Sequence, residues 1–188
     1  MNMLKLVTIA GLLIVVAFPR TREKASFVVQ LAVLNSGFVD ASTSSSKRDA
    51  FDFNFSVKDL SGNGVDFKNF RGKIVFLNLW ATWCGPCRSE MPSIQKLYEG
   101  IDKEKVSFVM LSLDDERLSR KVKSFTEKSG FTFPVYTNTG RLTEQLQVPS
   151  IPTTFVIDRD GYVVLKEVGM RNYDTPKFKK YLEQLAEK

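Results

Sequence analysis

The feature that most limits the possible folds is an eight-residue segment, Lys73 to Trp80, with the sequence KIVFLNLW. Nearly all of its side chains are apolar and favour extended structure, which is typical of a strand buried on both faces of a sheet. Directly after it, residues Pro86 to Ile101 place apolar side chains at helical spacing and predict an α-helix. A buried strand that leads into a helix indicates an α/β protein whose sheet is covered.

The other predicted elements fit one domain of this class over residues 50–188. Strands are predicted at 53–57, 65–67, 106–113, 133–136, 153–157 and 162–168, and helices at 118–130, 142–146 and 176–187. Turn-forming residues at 61–64 and 158–161 join two pairs of strands into β-hairpins. We therefore predict a mixed central sheet with helices on both faces, an N-terminal β-hairpin and a closing helix.

The chain's two cysteines stand at the junction of the buried strand and the helix, in the sequence Trp83-Cys84-Gly85-Pro86-Cys87. At the start of a helix, unpaired backbone N–H groups and the positive end of the helix dipole stabilise a thiolate on Cys84. Cys87 lies one turn later on the same face, close enough to form a disulfide with it. We predict a redox-active pair in which Cys84 attacks a target disulfide and Cys87 resolves the mixed disulfide.

The composition excludes several other kinds of site. The chain has no histidine, so Ser-His-Asp triads, Cys-His pairs and haem ligation through histidine are excluded. Two cysteines without further ligands argue against a zinc site, and we expect neither a metal nor a cofactor. The net charge of +6 is divided equally between residues 1–50 and 51–188, so no region concentrates basic side chains and we predict no nucleic-acid binding.

The first fifty residues are interpreted as a membrane-related extension, and a buried helix of the globular domain is the alternative. The 13-residue apolar run Leu6 to Phe18 fits a signal sequence better than a full membrane span, which needs roughly 20 residues. For residues 1–24 we favour a signal anchor, and a cleaved signal peptide stays open. Residues 25–49 are predicted to form an interfacial helical segment and a Ser-rich linker. Basic residues on both sides of the run leave the membrane orientation undefined.

The WCGPC motif after a buried strand, with Ile151-Pro152-Thr153-Thr154 about 65 residues further along, resembles the thioredoxin superfamily. The resemblance covers about residues 51–188. It narrows to the TlpA/ResA-like thiol-disulfide oxidoreductases, which are membrane-anchored or secreted. The N-terminal apolar run, Arg88-Ser89-Glu90-Met91-Pro92 and an extra segment before the Pro152 loop point to this group. The resemblance implies a thioredoxin-like three-layer sandwich with a central insertion.

The resemblance also implies roles for individual residues. Pro152 is expected to be cis, in a loop that lies against Cys84 and lets the backbone of Ile151 pair with an extended substrate. Trp83 either covers the thiols and shapes the approach of substrate or is a plain core residue, and both interpretations stay open. Gly85 and Pro86 complete the expected substrate-binding surface.

One position departs from the cytoplasmic-type thioredoxins. Those proteins carry a buried Asp where this chain has Asn78, and that Asp assists proton transfer to the resolving thiol. The ResA-like proteins resemble this chain instead in having a Glu three residues after the second Cys, here Glu90. Because Glu90 and Cys87 share a helix face, we predict that the carboxyl exchanges a proton with the thiol; a solvated acid that only favours the helix dipole is the alternative.

The function that this resemblance implies is reduction of disulfide bonds in envelope proteins, for example in cytochrome c maturation. The expected partners are disulfide-containing proteins, a membrane thiol electron donor and, through the N-terminal segment, the membrane. The expected location is extracytoplasmic, in the periplasm or cell envelope, and the expected form is a monomer. An oxidant that donates its disulfide is the main alternative, followed by a thiol peroxidase and a binding module without catalysis. The Pro-x-x-x-Thr-x-x-Cys pattern of peroxidases is not met, because Leu77 and Ala81 occupy its positions.

Overall fold

The computed structural model describes residues 19–37, 39–43, 49–140 and 142–187. The α-helices of this part are α1 (Pro19–Asn35), α2 (Gly85–Gly100), α3 (Ser119–Lys128) and α4 (Pro176–Ala186). The strands are β1 (Asp49–Ala50), β2 (Ser56–Asp59), β3 (Gly64–Asp66), β4 (Ile74–Trp80), β5 (Val106–Ser112), β6 (Val135–Asn138), β7 (Thr153–Ile157) and β8 (Tyr162–Val168). Short 3-10 helices occupy Phe67–Phe70, Glu116–Leu118 and Glu144–Leu146.

The strands form one mixed sheet in the order β1-β8-β7-β4-β5-β6-β2-β3. Strands β4, β5 and β6 are parallel neighbours, and the other pairs are antiparallel. Parallel neighbours are joined by right-handed crossovers, so α2 and α3, which connect β4 to β5 and β5 to β6, lie on the same face. All seven residues of β4 are buried, as expected for a central strand.

The two faces of the sheet carry different cores. On one face, alternate residues of β4 such as Ile74 and Phe76 pack with apolar side chains of α2, α3 and α4. On the other face, Val75, Leu77 and Leu79 pack with a cluster of phenylalanines. That cluster includes Phe51, Phe53, Phe55 and Phe67, whose rings contact one another in edge-on, tilted and stacked arrangements. Helical segments therefore lie on both faces, with α-helices on one and the 3-10 helices at Phe67–Phe70 and Glu144–Leu146 on the other.

The predicted fold class, the N-terminal β-hairpin and the β7–β8 hairpin are confirmed. Three predicted elements differ clearly in their bounds. The strand expected at 53–57 forms at Ser56–Asp59. The strand expected at 133–136 forms at Val135–Asn138, because Pro134 has no N–H for the ladder and contributes only its carbonyl, which accepts from Met110 at 3.1 Å. The helix expected at 142–146 is a single 3-10 turn over Glu144–Leu146.

The N-terminal helix α1 packs against α2, which carries the two cysteines. The predicted apolar run Leu6 to Phe18 lies outside the described residues, and so does most of the predicted Ser-rich linker. Within the part of the chain that the structure describes, no helix has both the length and the apolar character that a bilayer span requires. The predicted division at residues 24 and 49 stays a prediction.

Candidate active site

The two cysteines lie where the central strand β4 ends and α2 begins. Cys84 is the N-cap residue of α2, and its Sγ accepts the backbone N–H of Cys87 at 3.2 Å. The two sulfurs are joined in a disulfide, with an S–S distance of 2.07 Å. Pro86 occupies the first turn of the helix, where its missing N–H leaves no backbone group unpaired. The structure therefore shows the oxidised state of the predicted redox pair.

The two sulfurs are not equally accessible. Cys84 retains 5% of its surface, and Cys87 is fully buried. An incoming thiol or disulfide can therefore reach Cys84 first. In the reduced state, the N–H that points at Cys84 and the dipole of α2 favour a thiolate on this sulfur, which is the chemistry a nucleophile needs.

The loop before β7 lies against Cys84. The Ile151–Pro152 peptide bond is cis, which is the geometry that the resemblance implies. The carbonyl oxygen of Ile151 is 3.7 Å from Cys84 Sγ, and the carbonyl oxygen of Pro152 accepts the N–H of Gly169 at 2.8 Å. This brings a backbone edge within reach of any peptide whose sulfur is bonded to Cys84.

Trp83 is 67% exposed, so its side chain belongs to the surface beside the disulfide and not to the core. The structure thereby excludes one of the two interpretations that the sequence left open. Pro86 is also exposed, and Gly85 is half-buried beside the side chain of Gln30 from α1. Trp83, Gly85 and Pro86 flank Cys84 and Cys87 along the chain, and the carbonyl of Ile151 lies against Cys84.

Glu90 is a fully buried carboxyl on α2, one turn after Cys87. Its Oε1 accepts a 2.8 Å hydrogen bond from Asn78 Nδ2, and its Oε2 accepts a 3.1 Å hydrogen bond from the backbone N–H of Arg171. Burial raises the pKa of Glu90 to about 8, although these two hydrogen bonds and the charge of Arg171 act in the opposite direction. The alternative of a solvated acid in the first helical turn is wrong, because Glu90 has no exposed surface.

The side chain of Asn78 connects Glu90 to the sheet. Its Nδ2 donates both to Glu90 and to Thr154 Oγ1, the latter at 2.9 Å. Asn78 has no exposed surface and lies on β4, two residues before Trp80. The position that carries an acid in cytoplasmic-type thioredoxins is therefore a hydrogen-bond donor here, and Glu90 supplies the carboxyl.

Sequence reasoning missed Arg171 and Asp114, and it assigned no role to Thr154 within the motif Ile151-Pro152-Thr153-Thr154. Arg171 contacts Glu90 from a distant part of the chain, and no local pattern marks it. Thr154 accepts the hydrogen bond from Asn78. Asp114 does carry a signal, because a charged residue directly after a buried strand often holds a neighbouring loop. Among the described residues, no three His, Cys, Asp or Glu side chains are grouped in a way that could hold a metal ion.

Comparisons with known proteins identify the family. Residues 48–166 match the model of the AhpC/TSA family. The thiol-disulfide oxidoreductase ResA of Bacillus cereus is 39% identical over 117 residues, which are 62% of this chain and 66% of that relative. The thioredoxin-like protein YneN of Bacillus subtilis is 35% identical over 116 residues, which are 61% of this chain and 68% of YneN.

Solved structures show the same architecture. StoA from Bacillus subtilis superposes with a TM-score of 0.57 and 26% identity, over 68% of this chain and 94% of StoA. A putative thiol:disulfide interchange protein DsbE from Chlorobium tepidum gives a TM-score of 0.62 and 26% identity, over 74% of this chain and 99% of that one. The chain therefore belongs to the AhpC/TSA family and is similar to the thiol-disulfide oxidoreductases named ResA, one of which, from Bacillus thuringiensis, is 35% identical over 75% of its length.

Proposed function

We propose that this protein reduces disulfide bonds of other proteins outside the cytoplasm and is itself re-reduced by a thiol donor in the membrane. The observation that carries the proposal is the position of the two sulfurs: Cys84 at the accessible N-cap of α2, and Cys87 fully buried one turn later beside a buried carboxyl. The relatives named thiol-disulfide oxidoreductase support the reaction class.

In the first step, the Cys84 thiolate attacks one sulfur of the target disulfide. An S–S bond forms between Cys84 and the target, the target's own S–S bond breaks, and the leaving sulfur takes up a proton. In the second step, Cys87 attacks Cys84 and releases the other target sulfur as a thiol. Two electrons have then passed to the target, and the protein holds the Cys84–Cys87 disulfide.

Glu90 acts in this scheme as the group that exchanges a proton with Cys87. The thiol must lose its proton before it attacks, and the Glu90 carboxylate takes it up. A buried carboxyl with a pKa of about 8 holds that proton at neutral pH, in the oxidised state that the structure shows. The same proton is returned to the Cys87 sulfur when a donor reduces the disulfide.

Two parts of the proposal are supported by the sequence: that the protein reduces its targets, and that it acts outside the cytoplasm. The Gly85-Pro86 dipeptide is that of reducing thioredoxins, whose potentials lie near about −270 mV. The Leu6–Phe18 run, as an anchor or a cleaved signal, accounts for export. The targets that fit are envelope proteins with reducible disulfides, including apocytochrome c, and the surface formed by Trp83, Ile151 and Pro152 would receive an extended segment around the target cysteine.

Two measurements test this function. The Cys84–Cys87 potential, obtained by equilibration with thiol buffers, should lie near about −270 mV, and a value near about −120 mV would instead mark a disulfide donor. In cells, the variant Cys87→Ser should accumulate mixed disulfides between Cys84 and its targets. The double variant Cys84→Ser, Cys87→Ser is the matched control and should capture nothing.

The role of Glu90 has its own test. Glu90→Gln should slow resolution of the mixed disulfide between pH 5 and 8 and leave the fold intact. Glu99→Gln is the control, because Glu99 lies on the same helix but is exposed. Equal resolution rates for the two variants across that pH range would exclude a proton-exchange role for Glu90.

A further inference from the structure

A second acidic side chain, that of Glu167 on β8, is buried and contacts Arg171, whose backbone binds Glu90. Glu167 is 7% exposed and uses both carboxylate oxygens. Its Oε1 accepts the backbone N–H of Ser42 at 3.0 Å, and its Oε2 accepts from Arg171 Nε at 2.9 Å. The Arg171 side chain is 30% exposed, so this ion pair is partly shielded from solvent and holds the guanidinium in one place.

Arg171 connects the two buried acids. While its guanidinium binds Glu167, its backbone N–H donates to Glu90 Oε2 at 3.1 Å. Glu90 therefore receives a hydrogen bond from the Arg171 backbone, while the Arg171 charge, which favours ionisation of Glu90, is paired with Glu167.

Residues 39–43, which we call the strap, bind the segment after β8 through backbone hydrogen bonds. The N–H of Asn172 donates to the carbonyl of Val39 at 2.8 Å, and the N–H of Ala41 donates to the carbonyl of Asn172 at 3.0 Å. Ala41 is 5% exposed and belongs to the same apolar cluster as the two cysteines. The strap thus binds the residue next to Arg171 through its backbone, and binds Glu167 through the N–H of Ser42.

We propose that Glu167 is a positioning residue of the redox site: together with the strap it holds the Arg171 guanidinium in an ion pair, and so limits how far this positive charge favours ionisation of Glu90. The inference rests on the proposed role of Glu90. It connects the strap, through Glu167 and Arg171, to the acid–base chemistry of Cys87.

The charged and titratable groups that face Glu90 determine whether a substitution raises or lowers the pH at which Glu90 ionises. Arg171 follows β8, Tyr173 lies just beyond it, Cys87 precedes Glu90 on α2, and Glu167 lies behind Arg171. Burial keeps the pKa of Tyr173 well above its ordinary value, so this phenol stays neutral in the relevant range. The Glu167 charge opposes ionisation of Glu90 and neutralises the guanidinium that favours it.

Replacing Glu167 by Gln removes a negative charge and leaves the Arg171 guanidinium unpaired near Glu90. The Glu90 carboxyl should then ionise at lower pH, with a midpoint about 0.5–1 pH unit below that of the unmodified protein. The midpoint is read from the carboxyl carbon resonance of Glu90 in the oxidised, solubilised full chain, assigned by its loss in Glu90→Gln. Glu116→Gln is the matched control, because it removes an acid that is ion-paired with Lys58 on β2, near the opposite edge of the sheet, and it should leave the midpoint unchanged.

A second pair of variants tests the strap without changing any charge. Ser42→Pro removes the N–H that Glu167 accepts, whereas Ser42→Ala keeps it. A Glu167 carboxylate with one donor fewer opposes ionisation of Glu90 more strongly, so the midpoint in Ser42→Pro should lie about 0.3–0.5 pH unit above that in Ser42→Ala. If Glu167→Gln does not fold, the two Ser42 variants still test whether Glu167 affects the pH midpoint of Glu90.

The outcomes separate this inference from the proposed function. A Glu90 midpoint that is the same in Glu167→Gln and the unmodified protein overturns the positioning role, and equal midpoints in the two Ser42 variants overturn the role of the strap. Both results would leave disulfide reduction intact. Conversely, if the midpoints shift as expected while Glu90→Gln resolves mixed disulfides at the normal rate, the positioning role stands and the proton-exchange step fails.

Discussion

The carboxylate of Asp114 accepts two hydrogen bonds from Thr82, one from its backbone N–H and one from its hydroxyl, both at 2.7 Å. The hydroxyl of Ser112 donates to the same carboxylate at 2.8 Å, and Asp114 is only 3% exposed. Thr82 lies two residues before Cys84, in the loop that connects β4 to α2. The carboxylate therefore anchors the loop that places the nucleophilic sulfur at the start of its helix.

Replacing Asp114 by Asn should lower the free energy of unfolding by about 2–3 kcal/mol, because an amide offers one oxygen and turns an NH2 group toward buried donors. Urea unfolding of the oxidised protein measures the change. Asp115→Asn is the control, since the neighbouring Asp115 is exposed and pairs with Arg117 at the surface. The unfolding midpoint of Asp115→Asn should hardly change. Equal decreases in the free energy of unfolding of the two variants would contradict the anchoring role of Asp114.

The parts of the site that could be predicted are those with a local signal. Continuous apolar β-formers marked β4 within one residue, and the WCGPC sequence marked the start of α2. The spacing of three residues placed Glu90 on the same helix face as Cys87. Arg171 could not be predicted in the same way, because its contact with Glu90 spans 81 positions of sequence and uses a backbone N–H that any residue type would supply.

Phenylalanines alternate with polar residues from Phe51 to Phe55, and the strand predicted at 53–57 overlaps this segment. The three phenylalanines are buried while Asp52 and Asn54 are exposed, as in a strand, yet the ladder begins only at Ser56. Because of this alternation, the three phenylalanine rings lie on one face of the sheet and pack with Phe67. An alternation of apolar and polar side chains with a period of two residues indicates which face of the segment is buried. Whether the segment forms a strand depends on its hydrogen bonds to a neighbouring strand.

The raised pKa of Glu90 predicts how stability depends on pH. Below its ordinary pKa of 4.5, the carboxyl is protonated in both the folded and the unfolded chain. As the pH rises toward about 8, the unfolded chain releases the proton while the folded chain retains it, so the free energy of unfolding decreases. The loss attributable to Glu90 is at most about 5 kcal/mol and levels off above the folded pKa.

The variant Glu90→Gln has no proton to release and should lack this contribution. Its free energy of unfolding, measured with urea from pH 5 to 8, should therefore rise relative to that of the unmodified protein as the pH increases. Glu99→Gln, an exposed change on the same helix, should follow the unmodified protein throughout. Parallel curves for Glu90→Gln and the unmodified protein would show that the carboxyl titrates normally.

The exposure of Trp83 predicts an effect on protein substrates alone. Since 67% of its surface is free, Trp83→Ala should change the free energy of unfolding by less than about 0.5 kcal/mol. It should slow the reduction of insulin several-fold, because a large rigid ring beside Cys84 contributes contact area to a polypeptide. The reaction with a small disulfide should keep its rate. Tyr162→Ala, another exposed aromatic change but at the start of β8, should alter neither rate.

The contact between α1 and α2 predicts a local change in protection. The Ser89 hydroxyl, which is almost fully buried, donates to Gln30 Oε1 at 2.5 Å and so joins α1 to the helix that carries both cysteines. Ser89→Ala should weaken this contact by about 1 kcal/mol, and amide hydrogens in the C-terminal half of α1 should exchange roughly fivefold faster. Ser93→Ala is the control, because Ser93 bonds to Glu90 and Tyr173 and not to α1. If exchange in α1 responds equally to both variants, α1 is protected only by the global stability of the domain, and its docking does not depend on Ser89.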